Sequence, residues 1–146
     1  MISALAPDLG TVTQVYRIFI RATPQAIWDA MTKPEFTQQW GYGLRDEYDL
    51  RPGGAYNGMA NDGMIAMGMS GVIVDGEVIE ADPPRKLVVT WRMAIDPSMR
   101  AEGFTKLTYE IEEGRGGVCK LSVYHDVSSR PGHGAMIDGD KQGPGA

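Results

Sequence analysis

The sequence is 146 residues long and 15.9 kDa, a length that predicts one domain, 1–146, with enough burial to fold without staples. A net charge of −5 and a pI of about 5.0 argue against a nucleic-acid or anionic-membrane binder, which would need a basic face. One cysteine, Cys119, excludes an internal disulfide and a cysteine-based zinc cluster; two histidines, His125 and His133, leave little for any metal site.

No apolar run reaches the roughly 18 residues of a membrane span. The opening stretch MISALAPDLGTVTQ has no positive n-region, so a reduced, cytoplasmic setting is the expectation. Residues 1–11 read as a loose leader. Over 12–21, Tyr16, Ile18 and Ile20 alternate with Arg17, Phe19 and Arg21, which predicts a strand. Phe19 on its polar side predicts that something packs there too. Thr23-Pro24 starts a helix, with a capping hydroxyl and Pro at the first position, and Ile27, Trp28 and Met31 follow at helical spacing. Thr32 and Glu35 have capping-box spacing and open a second short helix that runs to Gly41.

Strands and turns follow. Residues 45–50 and 55–60 read as strands around the turn Arg51-Pro52-Gly53-Gly54, and Asn61-Asp62-Gly63 predicts a hairpin turn. The Met/Gly-rich stretch 64–71 fits neither period. Residues 72–81 read as a strand in which Gly76 marks a bulge or a close approach. Asp82-Pro83-Pro84 turns into the strand KLVVTWRM (86–93); 94–103 reads as a loop, and 104–112 and 118–126 as a closing hairpin. A strand, two helices and six further strands predict an α+β fold on a curved antiparallel sheet of about seven strands. Residues 128–146 (SSRPGHGAMIDGDKQGPGA) are Gly-rich, with no helical period.

Four segments in this order carry a resemblance: ATPQAIWDAMTKPEFTQQW (22–40), DLRPGG (49–54), GEVIEADPPRKLVVTWRM (76–93) and FTKLTYEIEEGRGGVCKLSVYHDV (104–127). Over about 12–127 the chain resembles the START-like, polyketide-cyclase-like (SRPBCC) superfamily, and within it the family of homologues of the activator of the heat-shock protein 90 ATPase. The resemblance implies a helix-grip fold: a curved sheet with two short helices after the first strand. It also implies a long carboxy-terminal amphipathic helix, which nothing in 128–146 matches. The expectation is a chain cut short of that helix; if the helix is missing, a homodimer partner or a swapped element should cover the sheet.

In a helix-grip fold the function lies in the cavity between sheet and helix. The candidate ligand-binding residues are the aromatic and methionine positions Trp28, Trp40, Tyr56, Met67, Trp91, Met93 and Tyr109, weighed against plain core packing. Alternation puts Val89, Trp91 and Met93 on one face of their strand, Leu107, Tyr109 and Ile111 on one face of theirs, and Leu121, Val123 and His125 on one face of the last. His125 and Asp126 are the one acid–base pair. As strand neighbours they point to opposite faces, so His125 reads as structural and no catalytic residue is assigned. His133 has no evident partner in the sequence. Glu47, Asp49 and Arg51 alternate with Asp46, Tyr48 and Leu50, and a solvated strand face is the simpler reading. Cys119 reads as a buried small residue or a free thiol.

The first functional expectation is therefore binding of a small hydrophobic molecule, with no cofactor and no metal. Two alternatives stand beside it. One is a cyclase, aromatase or dehydratase, which needs a polar pair facing one cavity. The other is a stress-response co-chaperone stimulating the heat-shock protein 90 ATPase, a name that travels with the fold.

Overall fold

The computed structural model describes residues 13–40, 42–128 and 132–133. Residues 1–12, with the expected loose leader, and most of 128–146 lie outside the described residues. Seven strands form one sheet: β1 (Thr13–Arg21), β2 (Arg45–Tyr48), β3 (Ala55–Met59), β4 (Val72–Asp82), β5 (Lys86–Met93), β6 (Thr105–Glu113) and β7 (Val118–Asp126). Their order is β1-β7-β6-β5-β4-β3-β2, and every neighbouring pair is antiparallel. Segregated short helices on an antiparallel sheet make this the α+β helix-grip arrangement expected from the sequence.

Helix α1 (Pro24–Thr32) starts as its sequence dictates: the Thr23 hydroxyl accepts from the Ala26 N–H at 3.1 Å, and Pro24 takes the first position, where no donor is needed. Thr23→Ala should cost about 1 kcal/mol, read as a lower urea midpoint. Ile27, Trp28 and Met31 bury one face of α1 against the sheet. Helix α2 (Pro34–Thr37) differs from expectation at its start. Lys33 is its N-cap with no side-chain bond, because the Thr32 hydroxyl donates backward to the Trp28 carbonyl at 2.8 Å. Three further expectations are corrected. Asn61 does not close a hairpin; its side chain caps a short helix, α3 (Asp62–Ala66), by accepting from the Met64 N–H. The expected loop 94–103 contains helix α4 (Pro97–Glu102), capped by Asp96. Phe19 is 72% exposed, so nothing described packs on it.

Register defines two faces. On the inner face, the one carrying the helices, Val89 pairs with Leu107 and Leu107 with His125, and His125 in turn pairs with Gln14. On the other side Val89 pairs with Val78, and Tyr56 with Gly76 and Tyr48. Strand alternation extends each row, so the three sets read from the sequence share this one face. Its centre is the core: Val74, Val78, Leu87, Val89, Trp91, Leu107, Ile111 and Leu121 are buried with α1.

Candidate functional site

Across this apolar face runs a row of polar and aromatic side chains from five of the seven strands: Asp46 and Tyr48 on β2, Tyr56 on β3, Trp91 on β5, Thr105 and Tyr109 on β6, and His125 on β7. Two glycines make the row possible. Gly58 pairs with Asp46, and a Cβ there would lie 3.1 Å from the carboxylate Oδ1; its absence leaves space for Asp46 to turn inward. Gly76 pairs with Tyr56 on one side and abuts β5 on the other. The bare strand between them lets the Tyr56 and Trp91 side chains approach each other across it.

At the β2 end, Tyr48 and Tyr56 stack with ring centroids 4.6 Å apart and planes 10° from parallel. The Tyr56 hydroxyl donates to Asp46 Oδ1 at 3.3 Å, while the Asp46 backbone N–H donates to the Thr37 hydroxyl of α2. Burial among these rings lifts the Asp46 carboxyl from 3.8 to about 7, although the Tyr56 hydrogen bond pulls the other way. Burial likewise pushes the Tyr48, Tyr56 and Tyr109 phenols up, reinforced by the Asp46 charge, so all three are neutral hydroxyls at physiological pH. Asp46 is thus a carboxyl that exchanges its proton near neutrality. Such a group can donate to or accept from a bound oxygen, or pair with a cation.

At the other end, Trp91 is met edge-on by two imidazoles, His125 at 5.3 Å and His133 at 5.9 Å between centroids. The Thr105 hydroxyl spends its one proton on the Trp91 carbonyl (2.7 Å), so His125 Nε2 must be the donor in its 2.7 Å bond to Thr105. Burial pushes His125 down to about 4. It is a neutral donor, and Asp126 is engaged elsewhere, with Ser128, on the outer side. His125 and Asp126 lie on opposite faces of the sheet, as alternation predicts. His133 does have partners. Its Nε2 accepts from the Met93 N–H at 3.1 Å, which places its proton on Nδ1, 2.8 Å from Glu102 Oε1. Burial alone would raise the Glu102 carboxyl; the bonds from His133 and the Gly132 N–H outweigh it and hold it below the ordinary range.

Of the seven residues named from the sequence, the structure brings Tyr56, Trp91, Met93 and Tyr109 together on the inner face, and Trp28 is buried against it from α1. Trp40 is 42% exposed and ties its loop to α1 by donating to the Ala30 carbonyl at 2.8 Å. Met67, just past α3, is 82% exposed and stands apart from the others. Asp46, Tyr48 and Thr105 were not singled out as site residues. Their signal is pairing across strands, Asp46 to Gly58 and Tyr48 to Tyr56, which a single strand's alternation does not carry. Cys119 is buried, its thiol 3.2 Å from the Ala22 carbonyl. Among the described residues no group of three or more His, Cys, Asp or Glu is placed to hold a metal ion, and no helix is long and apolar enough to cross a membrane.

Comparison with known proteins bears on this geometry. Residues 21–143 match the family described as Activator of Hsp90 ATPase homolog 1-like protein. No curated protein matches the chain. Among solved structures it is similar to MLL2253 from Mesorhizobium loti, with a TM-score of 0.65, 23% identity and 90% of each chain covered. It is also similar to CalU16 from Micromonospora echinospora (TM-score 0.59, 20% identity, 81% of this chain), of whose length it spans 60%. A third is PFC0360w, an HSP90 activator from Plasmodium falciparum (TM-score 0.57, 19% identity, 78% of this chain and 71% of that one). At these identities the likeness is one of fold.

Proposed function

We propose, from the premise that the chain belongs to the Activator of Hsp90 ATPase homolog 1-like family, that the inner sheet face binds a small, largely apolar molecule. The observation behind this reading is the polar row itself. Small-molecule sites are apolar surfaces with a few convergent hydrogen-bonding groups that fix orientation. Here the partly exposed Asp46 and Tyr48 supply those groups, beside the buried Tyr56 and Trp91 and above a closed core of Val74, Val78 and Val89. Among the residues named from the sequence, Tyr56, Trp91, Met93 and Tyr109 are the proposed contacts.

The test is titration with N-phenyl-1-naphthylamine, a neutral probe that fluoresces in apolar surroundings. Saturable binding of one probe per chain is expected. Val123→Trp, which fills space on the inner face, should weaken it about tenfold, a cost of about 1.4 kcal/mol. Phe19→Ala on the outer face should leave it unchanged. Loss of binding in Phe19→Ala, or none in the parent, would sink the reading.

A second reading, stimulation of the heat-shock protein 90 ATPase, has behind it the family description and the Plasmodium falciparum neighbour. An ATPase assay with the purified chaperone separates the two: stimulation without any probe binding would replace the first reading.

A further inference from the structure

The charges of the sheet are sorted by face. Arg17 and Arg21 of β1, Arg45 of β2, Lys86 and Arg92 of β5, Lys106 of β6 and Lys120 of β7 all fall, by register, on the outer face. The inner face carries no lysine or arginine from any strand. Among the described strand residues its carboxyl groups are Asp46 and Glu113, and Glu113 is exposed at the far end of β6, so of these Asp46 alone lies within the buried row.

Asp46 is incompletely matched there. Its Oδ1 accepts one long hydrogen bond, from Tyr56, and no ion pair links it to any described residue. Around it stand the stacked rings of Tyr48 and Tyr56, whose faces are electron-rich. The residue remains half-buried rather than sealed, so a ligand can reach it. A negative group among aromatic faces, on a sheet face to which no described strand contributes a lysine or arginine, is complementary to a cation with an apolar body. Binding such a cation would supply the partner that a desolvated carboxylate otherwise lacks.

We infer that the ligand class of this face is a hydrophobic amine: an ammonium head paired with Asp46 beside Tyr48 and Tyr56, and an apolar body lying against the partly exposed Tyr48 and Tyr109. The inference rests on the ligand-binding reading above and narrows it. Neutral or acidic ligands predict a different order of affinities, and the probes are chosen to tell these apart.

The experiment is calorimetric titration of the whole chain at pH 8 with octylamine, octanol and octanoate, which share one apolar tail. Octylamine should bind at least about tenfold more tightly than octanol, with octanoate weakest. Asp46→Asn should cost octylamine about tenfold and reduce its advantage over octanol to about twofold or less, and its thermal melt reports that the variant is folded. If octanol or octanoate equals octylamine in the parent, the ammonium inference falls and the ligand-binding reading stands. An octylamine affinity unchanged in Asp46→Asn also overturns the inference. If none of the three binds while the naphthylamine probe does, the ammonium inference falls alone; if the probe also fails, both fall.

Discussion

Asp46→Asn is expected to raise the melting temperature by about 6 °C or more at pH 8, at about 3 °C per kcal/mol, and to change it little at pH 4. The direction follows from proton linkage. In the folded chain burial raises the Asp46 carboxyl to about 7, against 3.8 for an ordinary aspartate. Between these values the folded state binds the proton and the unfolded state releases it. The stability from the neutral carboxyl is therefore complete below about pH 4 and lost as pH rises through about 7. The full loss is on the order of 4 kcal/mol, less where water reaches the half-buried group. Asparagine keeps an oxygen for the Tyr56 hydroxyl and has no charge to bury, so it escapes that loss.

His125 works in the opposite sense. Its folded value of about 4 lies below the ordinary 6.5, so its contribution is present above about pH 6.5 and is lost as pH falls through about 4. From pH 4 to 6.5 the two slopes oppose each other, and these groups leave the parent's profile nearly flat. Removing Asp46 exposes the histidine slope, and the variant should gain stability steadily across that interval. The groups facing Asp46 are Tyr48 on its own strand, Tyr56 from β3, Tyr109 from β6 and the Thr37 hydroxyl from α2. The three phenols are pushed above their ordinary value and stay neutral throughout the range, so the difference between variant and parent reports Asp46. Melting curves every half pH unit measure it; parallel profiles for the two proteins would refute the assignment.

The inner face was legible in pieces. Alternation in KLVVTWRM and in the closing hairpin picked out Trp91, Tyr109 and His125 correctly, because those strands are long and one of their sides is plainly apolar. β2 defeated the same method. In Arg45-Asp46-Glu47-Tyr48 three of four residues are charged, and hydropathy does not say which pair turns inward. The answer lies in the register with β3, where Gly58 makes room for Asp46 and Tyr56 stacks on Tyr48. His133 was illegible for another reason: its partners, Met93 and Glu102, lie 40 and 31 residues away. Helix α4 was visible in principle. Asp96-Pro97 is the same kind of start as Thr23-Pro24, but Pro97 and Gly103 together read as a loop. Local chemistry thus located the elements, and long-range pairing composed the site.

Gly76 joins the two levels, and Gly76→Ala is expected to destabilise the fold by about 3 kcal/mol or more. The backbone angle is not the reason, since Gly76 is not among the residues with positive φ. Space is. An added Cβ would sit 1.8 Å from the Thr90 carbonyl oxygen and 2.7 Å from its carbon, both backbone atoms that no rotamer change can move. Here the Glu77 N–H donates to the Thr90 hydroxyl at 2.8 Å, which draws β5 in against β4. Relief would require β5 to retreat, carrying Trp91 away from Tyr56, His125 and His133. By moving Trp91, the substitution should also weaken probe binding in whatever fraction stays folded. Gly63→Ala in α3 is the control: its Cβ would meet the Asn61 side chain at an ordinary 3.4 Å, and alanine is the better helix former, so it should be neutral or slightly stabilising. Equal urea midpoints for the two variants would show that β4 and β5 have slack at this crossing, and that the row from Asp46 to His125 does not depend on a bare strand at its centre.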